Sequence, residues 1–152
     1  MTETDREYYM REALELAREA AADGEVPVGC VITDADGRIV GRGRNRRESA
    51  PSALGHAELE AIDAACRTLG DWRLENCTLY VTLEPCPMCA GAIVLARLPR
   101  IVFGARDPAM GACGSVVDLF MENFGHRPAV WGGVLAEEAS GLLRSFFRDL
   151  RD

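Results

Sequence analysis

Apolar positions recur along this chain in two different rhythms, and the changes of rhythm mark out its elements. Met10, Ala13, Leu14, Ala17 and Ala20/Ala21 return every three to four residues with Glu and Arg between them, which predicts an amphipathic helix. Asp23-Gly24 is its stop signal. Val26–Thr33 is a mostly apolar run and reads as a buried strand. Asp34-Ala35-Asp36-Gly37 reads as a hairpin turn, and Ile39–Arg44 as the strand that pairs back. Asn45–Gly55, with Pro51 inside it, reads as a loop. From His56 onward Leu59, Ile62, Ala65/Cys66 and Leu69 predict a second helix, closed by Gly70. Thr78–Leu83 predicts a third strand, Pro87 opens a third helix to about Leu95, and Ile101–Phe103 predicts a short strand. No period is visible over Asp107–Arg127. Leu135, Leu142, Leu143, Phe146, Phe147 and Leu150 predict a last helix.

The order is α-β-β-α-β-α-β, an aperiodic stretch, then α. Strands alternating with crossover helices run parallel, and the leading hairpin adds an antiparallel pair. The expected fold is α/β: a three-layer α/β/α sandwich on a mixed, mostly five-stranded sheet. With 152 residues, no repeat and no linker, residues 1–152 read as one domain.

Composition narrows the function. The net charge of −7 argues against coating nucleic acid non-specifically, which relies on many cationic phosphate contacts. All 17 cations are Arg, so a few well-placed guanidinium groups could still grip a phosphate or a base edge. No apolar run approaches the roughly 18 residues of a membrane helix. The acidic start Met1–Met10 lacks a signal-peptide core. A cytoplasmic protein without a membrane partner is expected. In that setting six Cys do not imply disulfides. Cys30, Cys66 and Cys77 read as small buried residues.

The chemistry concentrates in two short pieces, His56-Ala57-Glu58 and Glu84-Pro85-Cys86-Pro87-Met88-Cys89. Each stands where a loop or strand gives way to a helix. Cys86 and Cys89 are one turn apart, and Pro87 suits the first helical position. His56 and Glu58, two apart, would diverge by about 200° inside a helix but can share a site at its first turn. Helix N-termini carry partial positive charge that stabilises thiolates. One imidazole and two thiolates suit zinc, and three protein ligands leave the fourth tetrahedral position open, as in catalytic sites. Glu58 would then be a free carboxylate placed to shuttle protons. Two other readings of the cysteines stay open: a Cys-x-x-Cys redox pair, and a structural zinc site completed by Cys113 or His126. His126 alone reads as structural.

His-x-Glu followed by Pro-Cys-x-x-Cys is the signature of zinc nucleobase deaminases. The chain also carries Glu25-Val26-Pro27-Val28-Gly29, Asn45, Leu79–Cys86, Cys89-Ala90-Gly91-Ala92, Phe103-Gly104-Ala105-Arg106-Asp107, Gly114-Ser115, Gly133-Val134-Leu135 and Phe146-Phe147. On these residues it resembles the bacterial tRNA-specific adenosine deaminases of the cytidine/deoxycytidylate deaminase superfamily, from about Met10 to Leu150. The resemblance implies a cytidine deaminase-like fold and hydrolytic conversion of a wobble adenosine to inosine. It implies one zinc ion per subunit on His56, Cys86 and Cys89, with Glu58 as general acid and base. At the substrate it implies Val28, Asn45 bonded to the purine, the Glu84 backbone near the departing amino group, and Asp107 near the ribose. The partners it implies are a tRNA anticodon stem-loop and a second copy of the chain. Arg42, Arg44, Arg46 and Arg47 around Asn45 read either as a local phosphate clamp or as a solvated hairpin end. The chain departs from the family at Ser52-Ala53-Leu54-Gly55, where Asp-Pro-Thr-Ala is usual, and at Gly125 before His126. The rival activities are deamination of free guanine or another small nucleobase or nucleoside, and non-catalytic binding by a zinc-stabilised module.

Overall fold

Thr2 starts the first helix. Its side chain accepts from the Asp5 N–H at 3.1 Å and the Asp5 carboxylate accepts from the Thr2 N–H at 2.9 Å, a reciprocal cap that begins α1 at Glu3, one turn and more before the apolar stripe. The computed structural model describes residues 1–151. Its elements are α1 (Glu3–Ala22), β1 (Gly29–Thr33), β2 (Ile39–Arg44), α2 (Ala57–Leu69), β3 (Thr78–Leu83), α3 (Pro87–Leu95), β4 (Arg100–Ala105), a 3₁₀ turn (Leu119–Met121), β5 (Ala129–Trp131) and α4 (Ala136–Arg151). Among the described residues no helix is long and apolar enough to cross a membrane.

One five-stranded sheet runs in the order β2-β1-β3-β4-β5. β1 pairs antiparallel with both β2 and β3, whereas β3, β4 and β5 are parallel. The expected mixed sheet is therefore present, with β1 as its one reversed strand. The period-2 alternation of strand side chains splits the core between two faces. Cys30, Ile32, Leu79, Val81, Ile101 and Phe103 point into the layer of α2 and α3. Val31, Tyr80 and Val102 point into the layer shared with Met10, Ala13 and Leu14 of α1 and Ala139 of α4. This is the three-layer α/β/α sandwich that the element order implied.

Four boundaries differ from the sequence reading. The first strand starts at Gly29 rather than Val26. Pro27 has no N–H to give a ladder, and the Val28 N–H turns back onto the Val26 carbonyl at 2.9 Å. β4 extends to Arg100–Ala105, because Arg100 finds Thr78 and Ala129 as partners and Ala105 finds Leu83. β5 lies just after the aperiodic segment, where three partly exposed residues carry no apolar pattern. Leu135, counted as a helix position, instead has φ 52° and precedes α4.

Close approach of α2 to the sheet depends on glycines in β2. A Cβ on Gly43 would run into the Ala57 carbonyl oxygen and lie 2.7 Å from the Ala61 nitrogen. The first turn of α2 therefore rests directly on strand backbone. Gly43→Ala should displace that turn and cost about 1–3 kcal/mol, the usual range for overpacking. A urea melt should show a lower midpoint, and the displaced turn should hold metal at His56 less well. An unchanged midpoint with unchanged metal retention would contradict this packing.

Candidate metal centre and active site

β3 ends at Leu83, and the chain then passes through Glu84 and Pro85 to the start of α3. Cys86 is the N-cap of α3, with φ −76° and ψ 173°, and Pro87 takes the first helical position. Cys89 lies within the first turn. His56 is the N-cap of α2, with φ −95° and ψ 146°. Its extended backbone is why His56 and Glu58 escape the divergence of a mid-helix pair. The His56 side chain makes no capping hydrogen bond to its own helix, and the Cys86 thiol stands at the start of α3, so the two can meet in the space between the two helix starts.

They do meet. His56 Nδ1 stands 3.6 Å from Cys86 Sγ and 3.5 Å from Cys89 Sγ. Tetrahedral bonds of the usual zinc–nitrogen and zinc–sulfur lengths require an N···S edge of about 3.6 Å. All three ligand atoms lie within 4.8 Å of one another, and among the described residues this is the one such cluster. The residues fit a zinc ion with a fourth position left over. Cys113, buried at 8 % exposure, is not part of the cluster, and His126 is engaged elsewhere, its Nε2 lying 2.7 Å from the Leu98 carbonyl oxygen. Neither completes a structural site.

The electrostatics suit a metal centre. Hydrogen bonding from Cys89, with further help from His56 and the Cys89 N–H of the helix start, pulls the Cys86 thiol down to about 4. The same thiol pair raises Cys89, which also lies buried against Glu58. The His56 imidazole is raised by its hydrogen bond with Cys86. Glu58 is 4 % exposed, and burial pushes its carboxyl up to about 7. A group that can hold or release a proton near neutrality therefore sits beside the three ligand atoms.

A cavity of ≈ 560 Å³ opens over this centre. Val28, Asn45, Glu58, Glu84 and Asp107, all expected at the site, line it together with His56 and Cys86. Asn45 is 6 % exposed and is tied by its N–H to the Val28 carbonyl at 3.1 Å, so the two residues form one wall. Glu84 does more than the sequence reading expected. Its backbone N–H is spent on the Ala105 carbonyl at 2.8 Å. Its buried carboxylate accepts the N–H groups of Asp107 at 3.1 Å, Cys113 at 2.9 Å and Ser115 at 3.1 Å, and the Ser115 hydroxyl. It is the post around which the aperiodic Asp107–Ser115 segment winds. Asp107 Oδ1 in turn accepts from Ala109 and Met110 at 3.0 and 3.2 Å, a local turn that presents this segment to the cavity.

The Arg run around Asn45 does not act as a unit. Arg42 and Arg44 lie on β2, and Arg44 pairs with Asp23 at 2.8 Å. Arg46 pairs with Glu60 at 2.7 Å. Arg47 alone of the four lines the cavity, joined there by Arg106, whose guanidinium lies over the Phe103 ring, 5.2 Å from its centroid. Sequence spacing could not show this, because Arg106 comes from the far end of β4. Leu143 and Phe147 of α4 also line the cavity, and Phe147 is 45 % exposed. Their spacing predicted the helix but not this role, and of α4 only Ala139 is fully buried.

Comparison with known proteins places this geometry. Residues 3–105 match the cytidine and deoxycytidylate deaminase zinc-binding region. A tRNA-specific adenosine deaminase of Bacillus subtilis (strain 168) is 51% identical over 149 residues, covering 97% of this chain and 92% of that protein. A solved structure from work on A-to-I editing by tRNA:A34 deaminases at the wobble position of transfer RNA superposes with a TM-score of 0.85. It is 42% identical, over 90% of this chain and 99% of its own. A guanine deaminase from Nitrosomonas europaea is similar at a TM-score of 0.73 with 27% identity, over 92% of this chain and 83% of its own. The matched region runs from α1 to the end of β4 and takes in both helix starts that carry the imidazole, the thiols and the buried carboxylate. The chain belongs to the zinc-dependent cytidine and deoxycytidylate deaminase family.

Proposed function

We propose that this protein deaminates adenosine to inosine at the wobble position of a tRNA anticodon, in the cytoplasm, as one domain over residues 1–152 and as a homodimer. The observation that carries the reading is the cavity wall. Asn45, Asp107, two arginines, Arg47 and Arg106, and an exposed aromatic, Phe147, line one cavity together with His56 and Cys86. Stacking surface with nearby cations suits an unstacked, single-stranded nucleotide better than a free base. The likeness to the B. subtilis enzyme over nearly the whole chain supports the same substrate class.

His56, Cys86 and Cys89 would hold the zinc ion. When bound, zinc supplies Lewis acidity that makes water a nucleophile at neutral pH. Glu58 takes the proton from water and delivers it to N1 of the purine as oxygen adds to C6. It then takes the remaining proton from the oxygen added at C6 and delivers it to the amino group as the C6–N bond breaks, so adenosine and water become inosine and ammonia. Its raised carboxyl suits it to both directions of transfer. Asn45, buried and fixed to Val28, orients the base by hydrogen bonding, and the apolar side chain of Val28 packs against it. Arg47 and Arg106 neutralise flanking phosphates. The second copy would cover the apolar face of α3 and its neighbouring 3₁₀ turn. Leu95 (71 % exposed), Met121 and Phe124 stand in the open there, and Gly91 leaves room for close approach.

Metal analysis of purified protein should give about one zinc per chain, as the ligand count requires. Cys86→Ala and Cys89→Ala should each lose it, and full metal in both variants would refute the ligand set. Glu58→Ala should keep fold and zinc but lose turnover by about 10⁴-fold, the upper end for a general acid–base group. Turnover within a few-fold of wild type would remove Glu58 from the mechanism.

The substrate is tested by comparing rates on an anticodon stem-loop with wobble adenosine, free adenosine, guanine and cytidine. The stem-loop should win by orders of magnitude, with Asn45→Ala slowing it while zinc stays bound. With two cavity cations, the log–log salt slope of binding should be about −1.4 on single-stranded RNA. Faster turnover of guanine would leave the deaminase chemistry and overturn the tRNA assignment. Light scattering at micromolar concentration should give twice the chain mass, and a monomer alone would contradict the dimer.

A further inference from the structure

We propose that Glu25 is a positioning residue for the substrate: its buried carboxylate holds the turn that follows Asn45 and thereby sets Asn45 and Arg47 against the cavity. The inference rests on the reading of that cavity as the site for the anticodon loop.

Glu25 is 2 % exposed and does not line the cavity. Its partners are backbone N–H groups rather than a cation. Both carboxylate oxygens accept from Glu48 N–H at 3.1 Å, and Oε2 accepts from Ser49 N–H at 2.5 Å. A charge withdrawn from solvent contact costs stability unless something specific satisfies it. The donors explain the arrangement. The Ala50 N–H bonds to the Arg46 carbonyl at 3.2 Å and the Ser52 N–H to the Arg47 carbonyl at 3.1 Å. Residues 46–52 are thus a single helix-like turn that never becomes a helix. The first N–H groups of such a turn have no acceptor behind them, the deficit a side-chain cap normally removes. Here the cap comes from more than twenty residues upstream. Hydrogen bonds to an ionised acceptor are the strong kind, and these more than offset burial, so that the Glu25 carboxyl stays below the usual range.

The geometry transmits this to the site. Glu25 is anchored at the end of α1, its N–H bonded to the Ala20 carbonyl at 2.9 Å. The turn it caps begins directly after Asn45, whose own N–H bonds to Val28. The turn is closed at its base by the Arg46 N–H on the Gly55 carbonyl at 2.8 Å, one residue before His56. A Cβ on Gly55 would lie 2.9 Å from the Arg46 backbone, so the two ends are in close contact. Arg47 and Ala53, on the two arms of this turn, both line the cavity. Without the carboxylate the turn has no other acceptor for its leading amides, and the wall it carries loses its fixed position.

The test uses zinc-loaded full-length Glu25→Gln and Glu25→Asp with an anticodon stem-loop, beside amide hydrogen exchange. Glu25→Gln keeps the shape but turns a donor toward donors. It should raise KM about tenfold, the loss of one charge-assisted bond's worth of ordering, while kcat stays within about threefold and zinc stays at one per chain. Exchange at the Glu48 and Ser49 amides should accelerate by a similar factor, with β1 and β3 amides unchanged. Glu25→Asp, which keeps the charge, should recover part of both effects, and it carries the test if the Gln variant does not fold. Wild-type KM together with wild-type exchange at Glu48 and Ser49 overturns the proposal. So does a lowered Tm with KM unchanged in the folded protein, which is a structural role only. If wild-type protein itself ignores the stem-loop, the substrate reading fails. The exchange at Glu48 and Ser49 then decides alone whether Glu25 holds the turn, and unchanged exchange overturns that too.

Discussion

The meeting of two helix N-termini over one buried carboxylate is the constraint on which the rest of the structure depends. His56 is the N-cap of α2 and Cys86 the N-cap of α3, and both side chains turn to the space between the two helices. That leaves an imidazole and two sulfurs at the spacing of a tetrahedral edge, in a region of positive helix-end potential. Glu58, two residues into the same junction, is drawn into the interior with them. The sheet exists to make this junction exact in space. β3 delivers Cys86 at its carboxyl end, and the glycines of β2 let α2 lie close enough to deliver His56. Sites at the carboxyl ends of parallel strands are a general property of open α/β sheets.

Three carboxylates are buried around the same cavity, and their surroundings sort them by task. Glu25 and Glu84 are each ringed by backbone N–H groups and stay ionised, so each serves as a fixed post for a loop that lacks regular structure. Glu58 has far less such support, and burial raises its carboxyl to about 7. Divergent environments of neighbouring acids are how a single fold separates structural anions from the group that exchanges protons. One post holds the turn after Asn45 and the other holds the Asp107 segment. The substrate walls are therefore held by charge inside the protein rather than by secondary structure.

Much of this was legible in the residue pattern. The helices were readable because their apolar stripes and stop signals, such as Gly70 with φ 66°, are local. The metal cluster was readable because its ligands sit at helix starts, where sequence spacing and spatial spacing agree. The limits were equally physical. β5 is three residues long and partly exposed, so it has no apolar run to announce it. The Arg run around Asn45 was a one-dimensional cluster that strand alternation and ion pairs dispersed. Arg106 reaches the cavity from the far end of β4, a contact that exists only after the sheet forms. The side-chain roles of Glu25 and Glu84 were invisible for the same reason, since their donors, mostly backbone amides, come from segments without a period.

A catalytic role for this site requires a metal centre with two sulfurs, one imidazole and one exchangeable position. Zinc K-edge absorption on the purified protein measures this directly. It should return two sulfur neighbours at about 2.3 Å and two nitrogen or oxygen neighbours at about 2.0–2.1 Å, one of them imidazole. Three sulfur neighbours, or a second imidazole in the fourth position, would mean a closed structural site and contradict a catalytic role for Glu58 beside it.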